Sequence, residues 1–465
     1  MTPKHTPLGL LVLGQGRDLH SERGVECPGD LPAPSDPDLV RRARAAKAAL
    51  GDKVFVLGHH YQRDEVIEFA DVTGDSFKLA QQAAARPEAE WIVFCGVHFM
   101  AESADILTTD AQTVVLPDLA AGCSMADMAT AAQVDDCWDD LIDAGVAEHT
   151  IPVSYMNSSA AIKAFTGRHG GTICTSSNAR TALEWAFEQT GGVEGTGKVL
   201  FLPDQHLGRN TAVRELGLSL DDCVVYDPHR PGGGLTKEAM QAARVILWRG
   251  HCSVHGRFTV DAVQAARHEI PGVRVIVHPE CQYEVCEAAD VIGSTEQIIK
   301  AVAAAPAGTS WVVGTELNLV KRLSTMFPEQ SIAFLEKNVC YCSTMNRIDL
   351  PHLVWALESL VEGRVVNTIR VDEQVAHAKA FLAQRAEAAG TRAGASPRSP
   401  TGRESPSTRC SRFLAPPIRT EHIVSVARPP TGPRRWPPRG TPSPNRPGGV
   451  TRWPRVLACR GPRPR

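Results

Sequence analysis

Long apolar runs are missing from this sequence. The longest, such as Trp91–Cys95, span about five to seven residues, whereas a membrane-spanning helix needs about 20. Leu8–Leu13 is apolar, but neither a basic segment nor a small-residue cleavage site flanks it, so no secretory signal is read there. The 13 cysteines are an odd number. Without a secretory signal a disulfide framework is not expected, and a cytoplasmic location is. Cys27 lies in a Gly/Pro-rich leader, and Cys410 and Cys459 lie near the C-terminus. The remaining cysteines are candidates for core thiols or metal ligands. Lysine is absent from residues 390–465, which hold 16 Arg, two acids and 16 of the 33 prolines, a net charge of +14. Residues 1–389 carry 33 bases against 50 acids, a net of −17, which argues against nucleic acid as a partner.

What is present is 43% hydrophobic and 22% charged, enough for a sizeable core. Short β-branched runs alternate with Ala-rich amphipathic stretches, the pattern of an α/β chain with parallel sheets. The runs fall into three sets. The first holds Val54–Gly58, Trp91–Gly96 and Thr113–Leu116. The second holds Ile151–Tyr155, Thr172–Thr175, Val199–Leu202 and Arg244–Trp248, and the third Val273–His278, Ala289–Gly293, Trp311–Gly314 and Ile332–Leu335. Three similar α/β domains are expected at 37–147, 148–265 and 266–388. An irregular leader (1–36) precedes them and an Arg/Pro-rich tail (389–465) follows. The tail is too poor in apolar residues to offset its chain entropy, so disorder is expected there. A basic arm and a frame-shifted product of a GC-rich gene are the other readings of it.

Each set ends in a strand followed closely by cysteine: Leu116 then Cys123, Trp248 then Cys252, and Leu335 then Cys340 and Cys342. Three strand ends aimed at one centre could each contribute a thiolate; three unrelated loop cysteines is the plainer reading. Polar clusters also close the strands, where ligands of open α/β sheets bind. His59, His60 and Tyr61 could donate to anionic oxygens or act as acid and base. Ser76 is placed to cap a helix, whose free N–H groups suit an anion. Tyr155, Asn157 and the Cys174–Asn178 segment with Ser176 offer neutral donors. His278 and Glu280 share one turn as a plausible acid–base pair, and Thr295 follows Gly293 at another strand end. Cys252 and His255 could be half of a zinc site, but no second half with local spacing is visible.

Together these segments resemble the quinolinate synthase family, the iron–sulfur enzymes of de novo NAD synthesis. The matching segments include Gly58-His59-His60-Tyr61-Gln62, Gly74-Asp75-Ser76, Gly122-Cys123-Ser124, Tyr155-Met156-Asn157, Cys174 to Ala179, Pro203-Asp204-Gln205, Cys252 to His255, His278 to Cys281, Gly293-Ser294-Thr295, Gly314-Thr315-Glu316 and Cys342 to Arg347, in the family's order. The resemblance implies three three-layer α/β domains with short parallel sheets around a central 4Fe–4S cluster. Its ligands would be Cys123, Cys252 and Cys342, with one iron left open. Cys342 is preferred to Cys340 because Met345 follows it by three positions, as in the family.

The resemblance further implies condensation of iminoaspartate (iminosuccinate) with dihydroxyacetone phosphate to quinolinate, phosphate and water, a transferase reaction. It assigns His59, Ser76, Tyr155, Asn157, Ser176, His278, Glu280 and Thr295 to substrate binding, and Glu280, Tyr61 and His255 to catalysis. It names L-aspartate oxidase as the supplier of iminoaspartate. A carboxyl close to a cluster and anionic substrates is expected to resist ionisation. Two other classes compete. A non-catalytic iron–sulfur sensor would not need the polar strand ends, and aconitase-type hydro-lyases commonly pair two ligands as Cys-x-x-Cys. Arg249 stands where the family usually has Pro.

Overall fold

The β-branched runs form three parallel sheets flanked by helices. The structure is a computed structural model and describes residues 31–193, 195–336 and 341–371. The first sheet contains β1 (Val54–His59), β2 (Val72–Gly74), β3 (Trp91–Cys95) and β4 (Thr113–Val115), all parallel, in the order β4-β3-β1-β2. The second contains β5 (Thr150–Tyr155), β6 (Thr172–Cys174), β7 (Lys198–Leu202), β8 (Cys223–Tyr226) and β9 (Val245–Trp248), in the order β6-β5-β7-β9-β8. The third contains β10 (Arg274–Val277), β11 (Val291–Ile292), β12 (Ser310–Gly314) and β13 (Ser331–Phe334), in the order β11-β10-β12-β13. With β8 set aside, the three sheets share one order, second-first-third-fourth, so the repetition lies in topology rather than in sequence.

All eleven expected runs are strands. The structure adds β2, β8 and β14 (Thr368–Ile369). Two of these have only two or three residues, and β8 is a partly exposed edge strand, so none carries a strong apolar pattern. Central strands are covered on both faces: every residue of β1 and β7 is buried. The indoles of Trp248 and Trp311 are buried with their N–H groups satisfied by the Met128 carbonyl at 2.7 Å and the Gln330 side-chain oxygen at 3.0 Å, as burial of a donor requires.

After the third sheet the described residues return to the first. The helix Leu39–Leu50 buries Leu39, Ala43, Ala46 and Leu50, one face at helical spacing, and packs on the helix Leu350–Val361. Arg42 Nε and Nη2 clasp Glu358 at 2.8 and 2.6 Å. Both side chains are about one-third exposed, so this fork contributes at most about 1 kcal/mol and the apolar contact dominates. β14 then pairs antiparallel with β4. The range 266–388, expected as a third domain, thus contains a segment whose partners lie in the first sheet. Among the described residues no helix is long and apolar enough to cross a membrane. The tail from residue 389 lies outside the described residues.

Candidate active site

The three sheets present corresponding positions to one cavity. His59 pairs with Gly74 across β1 and β2, and Tyr155 with Cys174 across β5 and β6. One step past Val277↔Ile292, His278 faces Gly293 across β10 and β11. Register therefore makes His59, Tyr155 and His278 equivalent. Two residues further along the first strand of each sheet stand Tyr61, Asn157 and Glu280. Two residues past the second strand's paired position stand Ser76, Ser176 and Thr295. All nine line the cavity, together with His255 and the three thiols Cys123, Cys252 and Cys342. Each thiol follows the fourth-placed strand of its sheet: β4, β9 or β13. The sequence-predicted site residues other than His60 are thus brought to one place.

The three sulfurs come from loops, and glycine shapes the one before Cys252. A Cβ on Gly250 would lie 2.1 Å from the Pro203 carbonyl oxygen, so the approach to Cys252 tolerates no side chain. The thiols are partly buried and free. They are close enough to interact electrostatically: Cys342 acts on Cys123, and both act on Cys252. Burial pushes all three pKa values up. Among the described residues no fourth cysteine lines the cavity. Three convergent cysteine sulfurs, with no fourth among the described residues, fit an iron–sulfur cluster that keeps one iron without a cysteine ligand. Cys252, His255 and Glu280 also have donor atoms within 4.8 Å of one another, a set that could itself hold a metal ion. Cys340 lies outside the described residues.

A chain of hydrogen bonds runs along the wall. His255 Nδ1 is 2.7 Å from Glu280 Oε2, and its Nε2 is 3.1 Å from Thr315 Oγ1. The Tyr61 hydroxyl is 2.9 Å from Thr315 Oγ1 and 2.8 Å from Thr295 Oγ1. His278 stacks on His255 with ring centroids 4.4 Å apart. Glu280 is buried, which alone would raise its pKa. The facing imidazoles of His278 and His255, and hydrogen bonds from His255 and Tyr155, pull it the other way, below the usual carboxylate range. In the chain alone, donors aimed at this carboxyl oppose its desolvation. Burial depresses His59 and His278 to about 3 and raises Tyr61 and Tyr155. These four are neutral hydrogen-bonding groups near pH 7.

Neither Lys nor Arg is among the described residues lining the cavity. The helices Ser76–Ala84, Ala179–Glu188 and Thr295–Ala303 begin at its edge, so their N-terminal dipoles supply part of the field that anions need. One cation lies behind the wall. Lys163 is fully buried, its ammonium 5.4 Å from the ring centre of Phe99, which lines the cavity. Burial lowers its pKa to about 8.

Some side chains do other work than expected. Ser76 does not cap its helix: Asp75 is the cap, its carboxylate accepting from Lys78 N at 2.9 Å, which leaves the Ser76 hydroxyl for the cavity. His60 turns away to Glu296 at 3.2 Å, as alternation along a strand end dictates. Val97, Phe99 and Met100, from the segment after β3, line the cavity as well. Thr315 carried no expected role. Its signal was the one that marked Thr295, a hydroxyl just after a strand's closing glycine.

A family model described as Quinolinate synthetase A protein matches residues 41–386, a span that contains every residue of this site. The chain is 73% identical over 371 residues to the quinolinate synthase of Streptomyces coelicolor, covering 79% of this chain and 93% of that one. It is 73% identical over 367 residues to the quinolinate synthase of a Nocardioides species, with coverage of 79% and 93%. It is 55% identical over 357 residues to that of Corynebacterium glutamicum, with coverage of 77% and 89%. With the matched span running from the first packed helix past the returning strand β14, and three thiols converging within it, the chain belongs to the quinolinate synthetase A protein family.

Proposed function

We propose that this chain synthesises quinolinate for NAD biosynthesis, as a transferase that condenses iminoaspartate with dihydroxyacetone phosphate and releases phosphate and water. The observation that carries this reading is the threefold repetition at one cavity: three thiols and three sets of polar side chains, each set at the same topological positions. Bound by Cys123, Cys252 and Cys342, a 4Fe–4S cluster with one open iron supplies a Lewis acid for substrate oxygen or nitrogen.

The chain's own residues bind, orient and move protons. His59, Ser76, Tyr155, Asn157, Ser176, His278 and Thr295 hold the carboxylates and the phosphate through neutral donors. Such donors do not demand that an anionic substrate be matched by buried Lys or Arg. Glu280, ionised and accepting from His255 Nδ1, is placed to take a proton from the condensing substrates and to return it at dehydration. Tyr61 and His255 orient that exchange. The three sheets with their helices correspond to three domains, divided near residues 147 and 265, with the Leu350–Ile369 segment completing the first. We place the protein in the cytoplasm and name L-aspartate oxidase as the source of iminoaspartate.

The reading is tested on anaerobically purified, cluster-loaded protein. Supplied with iminoaspartate and the triose phosphate, it is expected to consume both; supplied with a hydroxy acid alone, it is expected to do nothing. Dehydration of the hydroxy acid without use of triose phosphate would place it with the hydro-lyases instead. Ending the chain after Gly390 is expected to leave cluster content and turnover unchanged, because every site residue lies between His59 and Cys342 and the family match stops at residue 386. Loss of either property on truncation would make the tail part of the working protein.

A further inference from the structure

The rim of the cavity departs from threefold repetition where the first and third sheets meet. Ser76, Ser176 and Thr295 hold equivalent positions, and the residues that follow them are Phe77, Ser177 and Glu296. Phe77 packs among apolar side chains, and Ser177 bonds within its own turn, to Thr175 Oγ1 at 2.8 Å. Of the three, Glu296 carries a charge, and it reaches across to the first sheet. Its Oε1 is 3.2 Å from His60 Nε2 and 3.5 Å from Lys78 Nζ. His60 has no counterpart either. The equivalent residues on the other two first strands are Met156 and Pro279, whose side chains hold no hydrogen-bond donor.

Burial decides which of the two contacts matters. The side chain of His60 is 12% exposed and that of Glu296 26%, whereas that of Lys78 is 50% exposed. Water screens the lysine contact, so the histidine bond dominates. A carboxylate can only accept, so His60 Nε2 carries the hydrogen. Each partner sits beside groups that line the cavity: His60 between His59 and Tyr61, Glu296 next to Thr295, and Lys78 two residues after Ser76. Both helix starts are themselves firmly built. Asp75 caps Ser76–Ala84. Ser294 and Gln297 form a reciprocal capping box on Thr295–Ala303, with bonds of 2.7 and 3.4 Å. A bond between the two segments therefore fixes one helix start against the other.

We propose that Glu296 is a positioning residue that, by holding His60 from the first turn of the Thr295–Ala303 helix, sets Ser76 of the first sheet and Thr295 of the third at the spacing in which both grip the anionic substrates. The inference rests on the function proposed above. It assigns His60, which turns away from the cavity, a role there through its partner. An acid in a first helical turn also suits the helix dipole, so the test must separate the bond to His60 from a purely local effect of Glu296.

Cluster-loaded wild type is compared with Glu296→Ala, His60→Ala, the double variant and His60→Gln in the anaerobic quinolinate assay. Each single alanine variant is expected to raise KM for at least one substrate about five- to tenfold, between the scale of an exposed ion pair and that of a buried charge-assisted bond. The kcat should stay within about threefold and the cluster absorbance should be unchanged. The double variant is expected to match the single ones, because both remove the same bond. His60→Gln places an amide N–H where Nε2 was, and is expected to bring KM back to within about twofold of wild type. Wild-type KM in Glu296→Ala, effects that multiply in the double variant, or His60→Gln no better than His60→Ala each overturn the proposal, while quinolinate formation by the wild type leaves the underlying reading intact. No quinolinate from the wild type overturns both. Should His60→Ala fail to keep its cluster, Glu296→Gln, which can still accept from His60, is set against Glu296→Ala. Recovery of KM in Gln then supports the bond, and no recovery overturns it.

Discussion

Replacing Cys123, Cys252 or Cys342 by Ser, one at a time, is expected to abolish the visible absorbance of the cluster and all quinolinate formation. The three sulfurs are the cysteine donors on the cavity wall, one following each sheet, and no other described cysteine lines that wall to take the place of a lost one. The remaining described cysteines serve differently. Cys95, Cys137, Cys174, Cys281 and Cys286 are buried, and Cys223 is on an edge strand. Burial raises the pKa of each of the five buried thiols, which keeps them as protonated, inert core groups. Ser is nearly isosteric, so the folded chain should survive each change, and far-ultraviolet circular dichroism checks that it does. Cys340→Ser is expected to keep a full cluster. The opposite pattern, with Cys340 essential and Cys342 dispensable, would show that the ligand in that loop has been wrongly chosen.

Glu280→Gln is expected to keep iron content and cluster absorbance while lowering quinolinate formation by about 100- to 10,000-fold, the usual cost of one acid–base group. The amide oxygen can still accept from His255 Nδ1, so the hydrogen-bond chain from Thr295 stays in place and only the capacity to take up and return a proton is lost. That separates the effect from mispositioning. Iron analysis separates it from loss of a ligand, a necessary control because Glu280, His255 and Cys252 stand close enough to bind a metal together. Wild-type turnover in this variant would remove Glu280 from the chemistry.

Much of this site was legible because its parts are local in the sequence. A parallel strand buried on both faces reads as an apolar run, and the polar residues that close it are its immediate neighbours. His59 and Tyr61, Tyr155 and Asn157, and His278 and Glu280 are each two residues apart on the closing turn of a first strand. Cys123, Cys252 and Cys342 each follow a strand closely, but it was the family resemblance that singled them out and preferred Cys342 to Cys340. What could not be read is what depends on contacts between distant segments. Tyr61, His255 and Thr315 meet through hydrogen bonds spanning 60 to 254 residues of sequence, and no spacing rule announces such a meeting.

Competition between neighbours was equally hidden. Asp75 and Ser76 are both good helix caps, and the carboxylate one position earlier takes the role, which frees the serine. The ionisation of Glu280 turned on donors from His255 and Tyr155, neither of them adjacent in sequence. The amphipathic spacing of Leu350–Val361 shows a helix with an apolar face but not that its partner is Leu39–Leu50, more than 300 residues earlier.

The central claim is that one cavity, built at equivalent strand ends of three sheets, joins a dicarboxylate imine to a triose phosphate. The most direct test is to give cluster-loaded protein both substrates without oxygen and to measure quinolinate and inorganic phosphate in the same sample over time. The account predicts that the two appear together in equal amounts, and that neither appears when Cys252 is replaced by Ser. Phosphate released without quinolinate, or no product from protein with a full cluster, would contradict it.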